Sequence, residues 1–154
     1  MSLESVRAFL SQHAPDVEVV ELDRSSETNF LAAAWGVKPA QIAKALTLRV
    51  DGRNILLMAC GDSRLDNKKV KSALGGKAKM LPPEEAASLT GHPVGGVCPF
   101  GLVTPITVYC DIQLQRFDVA VTGGGSTHSA LRINPLRMAS LVEAEWVDVC
   151  ETPN

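Results

Sequence analysis

No run of eighteen apolar residues occurs in this 154-residue chain, so no helix long enough to cross a bilayer is expected. A basic leader followed by an apolar core is also missing. Glu4, Arg7 and His13 instead punctuate a helical pattern, and no secretory signal is expected. The four cysteines, Cys60, Cys98, Cys110 and Cys150, form no CxxC pair and no Cys/His zinc spacing. Free thiols in a reducing cytoplasm are the simplest reading, with no metal and no cofactor. GxGxxG, P-loop, HExxH and GxSxG patterns and paired carboxylates are absent, which excludes the usual nucleotide-cofactor and hydrolase signatures. A net charge of −2 argues against a protein that coats nucleic acid with its whole surface.

What is present suits one globular domain over residues 1–154, since 45% hydrophobic and 21% charged residues can supply a proper core. The average charge hides an asymmetry. Between Arg64 and Lys79 stand six basic residues, Lys68, Lys69 and Lys71 among them, against one acid, Asp66. Such a window fits a local patch facing a polyanion, and it equally fits a solvated helix face.

Leu3, Val6, Phe9 and Leu10 at helical spacing after Ser2 predict a first helix ending before Pro15. Residues 17–22 read as a strand and 28–35 as an alanine-rich helix stopped by Gly36. The alternation Lys44, Leu46, Leu48, Val50 marks a strand, followed by a turn at 51–54 and a second strand at 55–60. Asp66 caps a helix that Gly75 and Gly76 end; a short strand at 78–81 and a helix opened by Pro82 and Pro83 and stopped near Gly91 come next. Beyond the Gly/Pro loop 91–101, strands at 106–110, 117–122, 130–133 and 146–149 and a helix at 135–142 complete the chain. Strands and helices do not alternate strictly, so the expected class is α+β with a mixed sheet.

Three places hold residues suited to chemistry. Lys44 shares a strand face with Leu46, Leu48 and Val50, so a cation stands on a face that should be buried. It either snorkels to water from the strand end or offers a point charge to a phosphate or carboxylate. In the loop, Gly95, Gly96, Val97, Cys98, Pro99 and Gly101 combine permissive glycines with a stiffening proline, a backbone able to present its polar groups to a ligand or simply to turn. Gly124, Gly125 and His128 belong to a second glycine-rich loop, where the histidine is a candidate base or substrate donor.

The order of several segments carries a resemblance that covers nearly the whole chain. They are Ala34-Trp35-Gly36-Val37, Gln41-Ile42-Ala43-Lys44-Ala45-Leu46, Ala59-Cys60-Gly61-Asp62, Leu65-Asp66-Asn67-Lys68-Lys69-Val70, the loop from Leu89 through Gly101, and Gly124-Gly125-Ser126-Thr127-His128 before Leu131-Arg132-Ile133-Asn134-Pro135. Together they resemble the YbaK/prolyl-tRNA-synthetase-associated editing domain family. The resemblance implies a mixed β-barrel-like sheet flanked by helices and a pocket for the aminoacylated 3′ end of a tRNA. In it, the family's lysine falls on Lys44, toward the terminal phosphate, and its GxxxP loop on residues 95–99, toward the aminoacyl carbonyl. Gly101, Gly124, Gly125 and His128 are expected around the substrate, and the basic window, independently of the resemblance, puts Lys68, Lys69 and Lys71 along the tRNA backbone. A hydroxyl or thiol of the substrate and a bound water would complete the chemistry.

The implied activity is a cytoplasmic, trans-acting deacylase of mischarged tRNA, with tRNA(Pro) carrying a small wrong amino acid such as alanine or cysteine as the expected target. A transient complex with a synthetase is the other partner expected, and no membrane. Two alternatives stand beside it: a non-catalytic tRNA or synthetase-binding module, and a thiol hydrolase using Cys98 with His128.

Overall fold

Two residues, Asp51 and Gly52, set the centre of the fold. Both have positive φ, 47° and 75°, as a two-residue type I′ hairpin turn requires for its twist to match the strands it joins. Arg53 and Asn54, expected in the turn, therefore belong to the second strand and pair with Val50 and Arg49. Arg49 Nε donates to Asn54 Oδ1 at 3.0 Å across that register.

The computed structural model describes residues 2–23, 28–93 and 95–152. In chain order these form α1 (Ser2–His13), β1 (Val20–Glu21), α2 (Thr28–Trp35), β2 (Ala43–Val50), β3 (Arg53–Cys60), α3 (Asn67–Leu74), β4 (Ala78–Met80), α4 (Pro83–Thr90), β5 (Thr107–Asp111), β6 (Ala120–Gly123), β7 (Ser129–Ile133), α5 (Pro135–Leu141) and β8 (Glu145–Val147). Short 3-10 turns occupy Pro39–Gln41 and Ile112–Arg116. One sheet has the order β4-β2-β3-β5-β8 and the other β1-β7-β6. In the first, β5 runs parallel to β3 and β8 parallel to β5, whereas β2 is antiparallel to both β3 and β4. The expected α+β class with mixed sheet and flanking helices is what the chain forms. The barrel-like part of that expectation takes the form, among the described residues, of two sheets joined by the bridge Ile42 to Val121, without closure.

β3 is buried from Ile55 to Cys60 because both of its faces are covered. Leu56, Met58 and Cys60 pack with Val6 and Leu10 of α1 and with Phe100; Ile55, Leu57 and Ala59 pack with Leu48, Val50 and the Val70 and Leu74 of α3. Sequence capping signals set the helix ends. The Asp66 side chain accepts from Lys68 N and Lys69 N, and Gly75 closes α3 at φ 88°. Asn134 does the same for α5 by accepting from Leu136 N and Arg137 N.

Three strands are shorter or shifted relative to expectation. Of 17–22, Val20 and Glu21 pair with β7, and Leu22 N donates to His128 O just before that strand at 2.7 Å. Asp111 accepts from Gln113 N and starts a 3-10 turn, so the strand expected from 117 begins at Ala120. Val149 N donates to the buried carboxylate of Asp111 at 3.1 Å, which draws the chain out of β8 after Val147. Among the described residues no helix is long and apolar enough to cross a membrane.

Candidate functional site

The two glycine-rich loops of the sequence lie against each other. A Cβ on Gly96 would stand 2.6 Å from Ser126 C and 2.8 Å from Ser126 N and Cα, so only glycine allows this backbone contact. Beneath it, Ser126 N and Ser126 Oγ both donate to the buried Ser129 Oγ, at 3.2 and 2.8 Å, which fixes the turn through Gly124 and Gly125. His128 is exposed on that turn, its Nδ1 2.9 Å from Thr127 Oγ1. Ser126 stood in a matching segment without a role and Ser129 in none, since a serine that closes a turn has no periodicity to betray it.

Lys44 stands near the start of β2 on the face of Leu46, Leu48 and Val50, as the alternation predicts. Its Nζ donates to the Ser63 carbonyl at 2.6 Å. Ser63 is held in turn, its Oγ donating to Cys60 O at 2.8 Å and lying 3.6 Å from Cys150 Sγ. The neighbours of Lys44, Ala43 and Ala45, point the other way, into the cluster that holds Val97 and Cys98. Lys44 and the side chains of the 95–99 loop thus occupy opposite faces of one strand end. The face of Lys44 is the one that α3 covers, so Lys68 and Lys71, both exposed, lie on its side of the sheet. Lys69 differs from them. Its ammonium donates to Asp148 Oδ1 and Cys150 O at 3.0 Å and to Thr152 Oγ1 at 3.3 Å, and the Asp148 hydrogen bond raises its pKa.

Cys98 is fully buried, with Sγ 3.8 Å from Phe100 O and 3.9 Å from His92 Nε2. Burial pushes its thiol up to about 12. A nucleophile must be both reachable and ionised, and Cys98 is neither. The histidine beside it is His92, not the exposed His128, so the geometry removes the basis of the thiol-hydrolase reading. The other cysteines are buried free thiols as well, and desolvation raises Cys60, Cys110 and Cys150.

Gly101 is set apart from the loop contact. A Cβ there would meet Ser5 C and O at 2.7 Å, so it serves the approach of α1. With Pro99 it borders a groove of about 380 Å³, of mixed polar and apolar lining, between α1, the segment after Gly101 and the end of α5. No group of three His, Cys, Asp or Glu able to hold a metal occurs among the described residues.

The chain matches the aminoacyl-tRNA editing domain over residues 26–141. It is 42% identical over 154 residues to the uncharacterized protein YwhH of Bacillus subtilis (strain 168), covering 98% of each chain. A proline–tRNA ligase of Bacillus licheniformis is 29% identical over 116 residues, covering 75% of this chain but only 19% of the ligase. Among solved structures, one described as "a putative trans-editing enzyme for prolyl tRNA synthetase" superposes with a TM-score of 0.90 at 31% identity, covering 98% of both chains.

Proposed function

The chain belongs to the aminoacyl-tRNA editing domain family, and from that premise we propose that it is a trans-acting deacylase of mischarged tRNA, with tRNA(Pro) bearing alanine or cysteine as substrate. The observation that carries this reading is the end-to-end superposition on the trans-editing structure, 98% of either chain. Likeness to a part of proline–tRNA ligases supports the choice of tRNA. The need is physical: an apolar synthetase pocket rejects a smaller amino acid by only about 1–3 kcal/mol per methylene, and a second hydrolytic site removes what slips through.

In this reading the 3′ end of the tRNA passes over the start of β2. Lys44, with two N–H donors left after Ser63, takes a phosphate on the α3 side. The aminoacyl ester crosses to the 95–99 loop, where backbone N–H groups other than that of Gly96, which donates to Pro93 O, polarise the ester carbonyl. Water then adds to that carbonyl, and the ester C–O bond breaks. The ribose oxygen leaves with one proton of the water, the other passes to solvent, and the amino acid departs as carboxylate. No side chain need act as nucleophile, in keeping with four buried thiols, and a hydroxyl of the substrate orients the water.

The test is deacylation of a panel of mischarged tRNAs at micromolar enzyme. Hydrolysis of Ala- or Cys-tRNA(Pro) well above the buffer rate is expected, with Pro-tRNA(Pro) spared. If no member of the panel is hydrolysed above the blank while tRNA still binds, the non-catalytic binding module takes its place.

A further inference from the structure

We propose that His92 is the positioning residue of the 95–99 loop, its ring tying the two ends of that loop together; the role of the loop rests on the deacylase reading above. His92 is 1% exposed, and its Nε2 lies 2.7 Å from the Phe100 carbonyl, eight residues away. A carbonyl can only accept, so Nε2 carries the proton and Nδ1 is left as a lone pair. That Nδ1 is buried and has no hydrogen-bond partner.

Both anchor points are rigid. At the near end, Thr90 Oγ1 donates to Ala86 O at 2.8 Å and accepts from His92 N at 3.1 Å, which fastens the His92 backbone to the last turn of α4. At the far end, Phe100 is fully buried, its ring centroid 5.7 Å from that of Phe9 on α1. Between them Gly96 N donates to Pro93 O at 2.9 Å, and Gly96 rests on the Ser126 backbone. The imidazole therefore spans the base of the loop that holds Gly95 to Pro99.

The chemistry favours this role over simple filling of space. A leucine would occupy the same volume without burying an unpaired nitrogen, so the ring is in place for its Nε2–H. Burial lowers the His92 pKa, which keeps the ring neutral near pH 7 and the donor tautomer intact. Cys98 Sγ packs against both partners, at 3.9 and 3.8 Å, and shields the bond from water.

Two isosteric variants separate the clamp from mere burial. In His92→Gln the amide nitrogen reaches the place of Nε2; in His92→Asn it reaches only the place of Nδ1. The measurements are amide hydrogen exchange at Gly95, Gly96 and Val97 against the β3 core, and deacylation kinetics. The Asn variant should lose about tenfold of loop protection with β3 protection kept, and about tenfold of kcat/KM. The Gln variant should stay close to wild type in both. Equal behaviour of the two variants, equal loss in loop and β3, or a loosened loop with unchanged turnover would each overturn the proposal. Should the Asn variant not fold, a Gln variant that folds yet loses loop protection overturns it equally. The exchange arm needs no substrate, so an inactive wild type would sink the deacylase reading alone and leave the clamp to be judged on protection.

Discussion

Lys44 keeps its ammonium on a largely apolar face because one carbonyl, that of Ser63, meets it there at 2.6 Å. If the other donors hold a tRNA phosphate, Lys44→Ala removes a charge-assisted contact worth about 2–4 kcal/mol in the transition state. Deacylation kinetics should then show kcat/KM reduced about thirtyfold to a thousandfold, with the melting temperature nearly unchanged. Lys44→Arg keeps the charge and changes its shape, so partial rescue is expected. Normal turnover in a folded Lys44→Ala protein would refute the assignment. Cys98 makes the opposite prediction. As a buried, protonated core residue it should be replaceable by alanine at a stability cost of about 1 kcal/mol, with turnover within severalfold of wild type. A trapped thioester, or a loss of about a thousandfold, would restore the thiol as nucleophile.

At the scale of the element, α3 presents its lysines unequally. Asp66 caps the helix and Val70 and Leu74 seat it on β2 and β3, which leaves Lys68 and Lys71 exposed. Lys69 is drawn instead to the chain end at Asp148, Cys150 and Thr152. The basic window predicted three equivalent tRNA contacts, whereas the structure leaves two lysines uncommitted. Neutralising Lys68 and Lys71 together should flatten the salt dependence of tRNA binding by roughly one unit of slope for each phosphate that no longer meets a cation. Lys69→Gln should act mainly on stability, through the released C-terminal segment, with little change of slope. A slope unmoved in the double variant would return these lysines to ordinary solvated surface.

Across the whole molecule, one ion pair links the segment after α1 to α5. Arg137 donates from both Nη atoms to Asp16, at 2.7 and 2.6 Å. That hydrogen-bonded guanidinium is the main reason the Asp16 carboxyl is held at about 2. The folded value lies below the unfolded one of about 3.9. The pair therefore stabilises fully above about pH 4, and its contribution is lost as pH falls toward 2. Denaturant midpoints of wild type and Asp16→Asn should differ at pH 6 and converge between about pH 4 and 2. A gap that persists unchanged at pH 2 would show that Asp16 acts through something other than its charge. Both side chains are exposed, so the effect should also shrink in high salt.

Features that depend on a few neighbouring residues were legible in the chain alone. Asp66 and Gly75 bound α3, Pro83 and Gly91 bound α4, and the Asp51-Gly52 pair centres the hairpin, because caps and turns satisfy backbone groups within their own segment. The order of its motifs was enough to place the chain in its family. Packing between distant segments settled the rest. The alternation showed that Lys44 faces a covered side, but not that Ser63 would meet it or that the 95–99 loop would lie on the other side of β2. The sequence left a Cys98–His128 pair open as an alternative, but Phe100 and α1 draw Cys98 into the core and leave His92 as its neighbour. The same holds for Asp16 and Arg137, 121 residues apart. Burial, and the identity of a polar partner, are properties of the assembled core, so no local pattern in the chain encodes them.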